Sequence, residues 1–377
     1  MNRPMTVLQV LPALNIGGVE RTTFEVAKGL VAAGHRAFVA SKGGAMVAAL
    51  ESSGARHVTG PFHSKNPALI LANAARLVRL VRREGVQIIH ARSRAPAWSA
   101  WIAARVTGAR FVTTFHASYS FSGPIKQFYN AVMARGDRVV AISGYVADHV
   151  RRHYDVPESV LRLISPGVDL ESFDPAKISM ERRAALAAKW NLHPGWPVIL
   201  FPGRLSPVKG QAKALEALAC MSGAGVQLVL LGPDQGRGSY RLELERMVQN
   251  LGLADRVRMP GPCADMPTAY SLADVVVCPS RAPEGLGRVS IEAQAMGVPV
   301  VAAKTGGLPE TVIPGTTGWL VSPDDEDAIA RAIEEALCMS PPRRESLAEA
   351  ARAHVMRDFD EQRMVRDTLS LYAEVLS

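Results

Sequence analysis

Aromatic side chains are scarce, 6% of 377 residues, so a core in this chain has to be assembled mainly from Ala, Val, Leu and Ile. Cysteines are fewer still. Cys220, Cys263, Cys278 and Cys338 form no C-x-x-C pair and have no histidine at ligand spacing. That argues against a disulfide scaffold or a structural zinc site, and for buried free thiols in a reducing compartment. No eighteen-residue apolar run occurs; the longest charge-free stretch, 217–233, is broken by Ser, Gln and three glycines. The opening MNRPMTVLQVLPALNIGG lacks a signal-peptide pattern, because its apolar run is short and ends in Gly-Gly. The expectation is a cytoplasmic chain that neither spans a membrane nor is secreted.

With 48% apolar and 21% charged residues, the composition is ordinary for a globular protein and excludes wholesale disorder. The length exceeds one ordinary domain and suits two. Charge is uneven. Residues 1–172 hold 21 Lys+Arg against 10 Asp+Glu, a balance of +11, and the remainder 22 against 25, or −3, which sum to the overall +8. A basic first half beside a mildly acidic second suggests that one lobe faces something anionic.

Short apolar runs at 6–11, 37–40, 87–90, 110–115 and 138–142 read as buried strands, and 20–33, 67–84, 95–106 and 144–153 carry helical spacing. This βαβ alternation implies a parallel sheet covered by helices on both faces. The pattern pauses in a turn-rich stretch at 165–178 and restarts with strands at 197–202, 226–231, 256–259, 274–278 and 299–302. The reading is α/β: two Rossmann-like, doubly wound domains, 1–172 and 173–356, facing a cleft, with a final helix, 357–377, packing back on the first. Ligands of such sheets bind beyond the carboxyl ends of the strands, so motifs placed there carry the most weight.

Three do so. Asn15-Ile16-Gly17-Gly18-Val19-Glu20 follows the first strand and opens a helix, where glycine lets backbone approach a ligand and free N–H groups suit a phosphate. It is not G-x-G-x-x-G, which counts against a dinucleotide site. In Phe201-Pro202-Gly203-Arg204-Leu205-Ser206-Pro207-Val208-Lys209-Gly210, a guanidinium and an ammonium five residues apart can converge on one anion, a diphosphate being the best match. The plain alternative is two solvated cations. In 283–293, PEGLGRVSIEA, Glu284 lies in a loop and Glu292 in the helix after it, one able to reach a sugar hydroxyl and the other a ribose diol, with loop amides facing a phosphate between them.

Residues 283–307, PEGLGRVSIEAQAMGVPVVAAKTGG, resemble the Glu-x₇-Glu signature of the family-4 retaining glycosyltransferases of GT-B fold. FPGRLSPVKG, GGVERTTFEVAKGLVAAGH, AISGYVADHV and ISPGVDLESFDP resemble further motifs of that family, in order, from about residue 8 to about residue 320. The resemblance implies roles. Gly17 and Gly18 would lie against the donor phosphates, and Arg204 and Lys209 would neutralise the diphosphate leaving group where other transferases use a metal. Glu292 would hold the ribose, Glu284 the transferred sugar, and Gly285, Leu286 and Gly287 the phosphate cradle. His116, after the fifth strand, matches the position beside the reacting carbon; His90 reads equally as a satisfied core histidine. The resemblance calls for no metal and no cofactor beyond a nucleotide diphosphate sugar, GDP- or UDP-hexose. Arg288 stands where relatives have Pro or Leu, as a third cation for the phosphates or a contact for an anionic acceptor. Its variant resembles lipopolysaccharide-core and envelope-polysaccharide enzymes, which implies a mannosyl or glucosyl transfer to an anionic glycolipid. Base recognition is expected from 260–265.

The segment 67–83, PALILANAARLVRLVRR, mixes Leu69, Leu77, Leu80 and Val81 with Arg76, Arg79, Arg82 and Arg83, as an interfacial helix on anionic lipid does. The alternative is a sheet-covering helix with a solvated face. Trp98, Trp101, Arg105, Tyr119, Phe121, Lys126, Phe128 and Tyr129 add to the same lobe, and peripheral attachment to the inner face of the cytoplasmic membrane is expected. Rival readings are an NAD(P)-dependent oxidoreductase, a sugar phosphorylase or nucleotide-sugar epimerase, and a nucleic-acid-binding protein. The last has no recognisable binding module here, so no nucleic acid is expected.

Overall fold

The computed structural model describes residues 4–15, 17–119, 123–221, 225–234, 236 and 238–377; Ile16 of the first motif and Phe121 lie outside them. The chain divides into two compact units, one ending at Pro166 and resumed by Glu361–Ser377, the other Gly167–Asp360. The boundaries fall a few residues from those read in the sequence.

The first unit is a seven-stranded parallel sheet. Its strands are β1 (Thr6–Val10), β2 (Arg36–Ser41), β3 (Arg56–Thr59), β4 (Ile88–Ala91), β5 (Arg110–Phe115), β6 (Arg138–Ala141) and β7 (Leu161–Leu163), in spatial order β3-β2-β1-β4-β5-β6-β7. β1 and β4 lie side by side while the chain winds outward in both directions from them, so their carboxyl ends mark the topological switch point. Helices α1 (Gly18–Ala32), α2 (Val47–Ser52), α3 (Pro67–Glu84), α4 (Arg94–Thr107), α5 (Pro124–Ala131) and α6 (Gly144–His153) make the connections. In α3, Leu77, Leu80 and Val81 are buried while Arg76, Arg79, Arg82 and Arg83 are exposed, one face turned inward and the other to solvent.

The second unit is a six-stranded parallel sheet of order β10-β9-β8-β11-β12-β13. Its strands are β8 (Val198–Pro202), β9 (Gln227–Leu231), β10 (Val257–Gly261), β11 (Val275–Cys278), β12 (Val300–Ala303) and β13 (Gly318–Val321). The helices are α7 (Met180–Lys189), α8 (Gln211–Cys220), α9 (Gly238–Asn250), α10 (Met266–Ser271), α11 (Arg288–Ala295), α12 (Leu308–Thr311), α13 (Glu326–Leu337) and α14 (Pro341–Asp358). The central strands are buried along their length, as a parallel sheet covered on both faces requires. All four thiols are free, but only Cys278 is buried; Cys220 and Cys338 are exposed, against the expectation of buried thiols.

The last helix, α15 (Glu361–Leu376), belongs to the first unit. Its Met364, Leu371, Tyr372 and Val375 enter the core with Val26 and Leu30 of α1. Gly29 is needed on α1 because a Cβ there would run into Val365. Tyr372 hydroxyl meets His90 Nδ1 at 2.7 Å and Thr114 Oγ1 meets His90 Nε2 at 2.7 Å, so His90 is a satisfied core histidine. Beside it Arg92 is also buried, its Nε and Nη2 donating to Gln9 Oε1 at 2.8 and 2.6 Å, with buried Glu25 supplying opposing charge.

Candidate active site

In the second unit the site begins where β8 ends. Gly232 lies against the Gly203 carbonyl with φ of 155°, a contact any Cβ would block, and Gly203 N–H donates to Leu231 O at 2.8 Å. The following loop is braced from within. Buried Gln211 donates to Arg204 O at 2.8 Å and accepts from Ser206 N–H at 3.4 Å. A short 3₁₀ turn, Pro207–Lys209, leads to Gly210, whose φ of 85° and close approach to the Pro279 carbonyl exclude a side chain. Val208 O accepts from Arg281 N–H at 3.0 Å and Ala282 N–H at 3.3 Å. The loop after β8 is thereby stitched to the loop after β11.

That stitching sets Lys209 Nζ 2.9 Å from Glu284 Oε1, which Ser280 Oγ also bonds. Glu284 is fixed from behind as well. Gly307 N–H donates to its carbonyl at 2.8 Å, and Cβ atoms on Gly306 or Gly307 would strike the backbone of 284–286. Both carboxylates of the sequence motif are therefore positioned, by different means. Glu292, on α11, accepts from Tyr270 hydroxyl at 3.0 Å through Oε2 and lies 3.5 Å from Arg288 Nε through Oε1. Burial and the Glu292 charge push the Tyr270 phenol well above its ordinary value, so it acts as a donor. Beneath, Ser290 Oγ meets Thr311 Oγ1 at 2.6 Å and Gln294 Nε2 donates to Thr311 O at 2.6 Å, fastening α11 to α12.

Arg204 is exposed and Lys209 half-buried; Gly285 is half-buried, and Leu286 and Gly287 are buried at the start of α11. Arg288, expected as a third cation, is paired within its own helix to Glu292. In 260–265, expected at the base, the Asp265 carboxylate is taken by Arg182 Nη2 at 2.9 Å to each oxygen and caps α10. In the first unit Gly17 is extended at the N-cap of α1, and the Glu20 carboxylate folds back to where a Gly17 Cβ would lie, its pKa raised by burial. Gly18 opens α1 at the surface, and His116 is the first residue after β5, half-buried.

Sequence reading missed the supporting residues: Gln211, Tyr270, Ser280, and the Ser290, Thr311, Gln294 set.

Two doubly wound parallel sheets, each carrying glycine-shaped loops at strand carboxyl ends, with cations and carboxylates on the second, define the GT-B class of glycosyltransferase. A sequence profile described as Glycosyltransferase Family 4 matches residues 16–172, and one described as Glycosyl transferases group 1 matches 183–354. A glycosyltransferase from Rickettsia africae, known by crystal structure, is 34% identical with all of both chains covered and a TM-score of 0.92. Anabaena HepE, crystallised with UDP-glucose, is 26% identical over 97% of this chain and 99% of its own, with a TM-score of 0.87. Among curated proteins, the D-inositol 3-phosphate glycosyltransferase of Segniliparus rotundus is 37% identical over 232 residues, 60% of this chain and 50% of that protein. The chain spans about half the length of the curated relatives it matches. It belongs to glycosyltransferase family 4 and is a GT-B glycosyltransferase.

Proposed function

We propose that the protein moves a hexose, with retention and without a metal, from a UDP-sugar to an acceptor carrying negative charge. The observation that carries this is the stitched pair of loops holding Lys209 on Glu284, with Glu292 fixed by Tyr270 in the middle of the adjoining helix. Lys209 has two further ammonium protons beyond the one toward Glu284, and Arg204 a planar fork; both stabilise the diphosphate as it leaves. Glu292 takes the ribose diol, and Glu284 a hydroxyl of the transferred sugar. On the first unit, the family resemblance assigns Gly17 and Gly18 to phosphates and His116 to the reacting carbon. The acceptor hydroxyl forms the new glycosidic bond on the face the diphosphate leaves, and its proton passes to the departing phosphate oxygen. The HepE complex supports UDP over GDP, while the curated relatives' inositol phosphate acceptor favours a phosphorylated acceptor over a lipopolysaccharide core specifically.

Thermal unfolding with UDP, GDP, ADP and NAD tests the donor. UDP near a hundredfold its Kd should stabilise by about 2.7 kcal/mol, a rise of roughly 5 °C or more. A response to NAD alone overturns the reading, and the anomeric configuration of product from an α-linked donor checks retention.

Contact with an anionic membrane is part of the proposal. Residues 52–136 contain twelve Lys and Arg but one carboxylate, Glu84. On this stretch Ile125 and Phe128 of α5 are 86% and 62% exposed, and Leu71 of α3 62%. Phe128 stacks on Trp98 at 5.1 Å, and Arg135 lies 5.3 and 4.9 Å from the centres of Trp98 and Trp101. Exposed apolar side chains on a stretch whose charges are almost all positive match an anionic lipid interface. No described helix is long and apolar enough to cross a membrane. Sedimentation with phosphatidylglycerol vesicles should exceed that with phosphatidylcholine and fall in Ile125→Ser/Phe128→Ser; equal binding to both vesicles sinks this part.

A further inference from the structure

Tyr145 and His149 stand four residues apart on α6 and therefore share a helix face. The loop leaving β5 runs His116, Ala117, Ser118, Tyr119. Tyr145 hydroxyl donates to Ser118 Oγ at 3.2 Å, and Tyr119 N–H donates to His149 Nε2 at 3.1 Å. Two consecutive loop residues are thus taken by two side chains one turn apart. The Tyr119 ring is fixed at the same time, with Phe115 of β5 at 5.1 Å between ring centres and the Arg94 guanidinium of α4 at 4.1 Å.

We infer that His149 is a positioning residue: as the neutral Nδ1–H tautomer it holds the 116–119 loop by its backbone and so sets where His116 stands. The inference rests on the reading of His116 as the residue beside the reacting sugar. A backbone N–H can donate only to an unprotonated ring nitrogen, so Nδ1 carries the proton. An imidazolium has no acceptor, and protonation would release Tyr119. The charged and titratable groups about His149 are His153, at 4.7 Å between ring centres, and Arg152 on its own helix, Tyr154 at 6.2 Å beyond it, and Tyr119 of the loop with Arg94 behind; His116 is on the same loop. Burial, then the positive charge of His153 and Arg152, hold the His149 pKa below its ordinary 6.5. The clamp is therefore closed at neutral pH and opens as pH falls through that lowered value.

Amide exchange of Tyr119 in the full chain, expressed as protection over the unstructured rate, reads the clamp directly. In the wild type, protection should be level above pH 6.5 and fall about threefold to tenfold in acid, the worth of one hydrogen bond. His149→Phe should show the low value at every pH. His149→Gln, whose amide oxygen replaces Nε2 as acceptor, should restore protection and remove its pH dependence. UDP release from UDP-glucose should follow, slowed about tenfold in His149→Phe and restored in His149→Gln. Wild-type protection in His149→Phe, or an unchanged pH profile in His149→Gln, overturns the clamp. Wild-type turnover in His116→Ala instead overturns the role given to His116, with the exchange result standing apart from it.

Discussion

Lys209→Ala is expected to slow UDP release from UDP-glucose by about 10²–10³-fold, with the loss in kcat. The positive charge matters most as the diphosphate separates from the sugar, so removing it raises the barrier more than it weakens donor binding. Glu292→Ala should behave differently. A carboxylate on the ribose diol grips ground state and transition state alike, so the larger change belongs in KM. The contrast depends on geometry: Lys209 is on the turn before α8, a quarter exposed and touching Glu284, whereas Glu292 is buried against Tyr270. Because Glu292→Ala takes one partner each from the Tyr270 hydroxyl and Arg288, Glu292→Gln serves as the control that keeps the shape. Steady-state kinetics with wild-type values for both alanine variants would show that the site is misplaced.

Arg92→Met should destabilise the first unit by about 1–3 kcal/mol, the cost of leaving a buried acceptor without its donors. Arg92 is 3% exposed and Gln9 fully buried, and two of the guanidinium's nitrogens bond Gln9 Oε1. Methionine fills the volume but leaves that oxygen without its donors, while Glu25 keeps Arg21 Nε at 3.4 Å. Adding Gln9→Leu should recover part of the loss, since that acceptor is then gone. Urea unfolding followed through Trp98 and Trp101, both in the first unit, measures it. A loss below about 0.5 kcal/mol would mean that water or relaxation compensates.

The central strands were legible because parallel strands covered on both faces must be continuous apolar runs, as TVLQV at β1 and VILFP at β8 are. The strands that escaped, β3, β7 and β13, lie at sheet edges. There RHVT, LRL and GWLV need bury only part of their side chains, so no such run is written. The site divided in the same way. Glycines betrayed the loops, since Gly210 and Gly306 tolerate backbone approaches no other residue would. What those loops touch was not legible: the Lys209–Glu284 pair joins distant segments, and Tyr270 reaches Glu292 from another helix. The Arg288–Glu292 pair, one turn apart on α11, was not read either, because Glu292 had been assigned to the ligand.

The excursion of the chain through residues 167–360 before α15 returns has a consequence for biosynthesis. A ribosome that has released residues 1–166 has delivered the first sheet but not α15, whose Met364, Leu371, Tyr372 and Val375 share one core with Val26 and Leu30 of α1. That core is completed only after residues 167–360 have been translated. The first sheet therefore keeps apolar surface uncovered through the synthesis of the second. A chain cut before α15 would leave that surface uncovered for good.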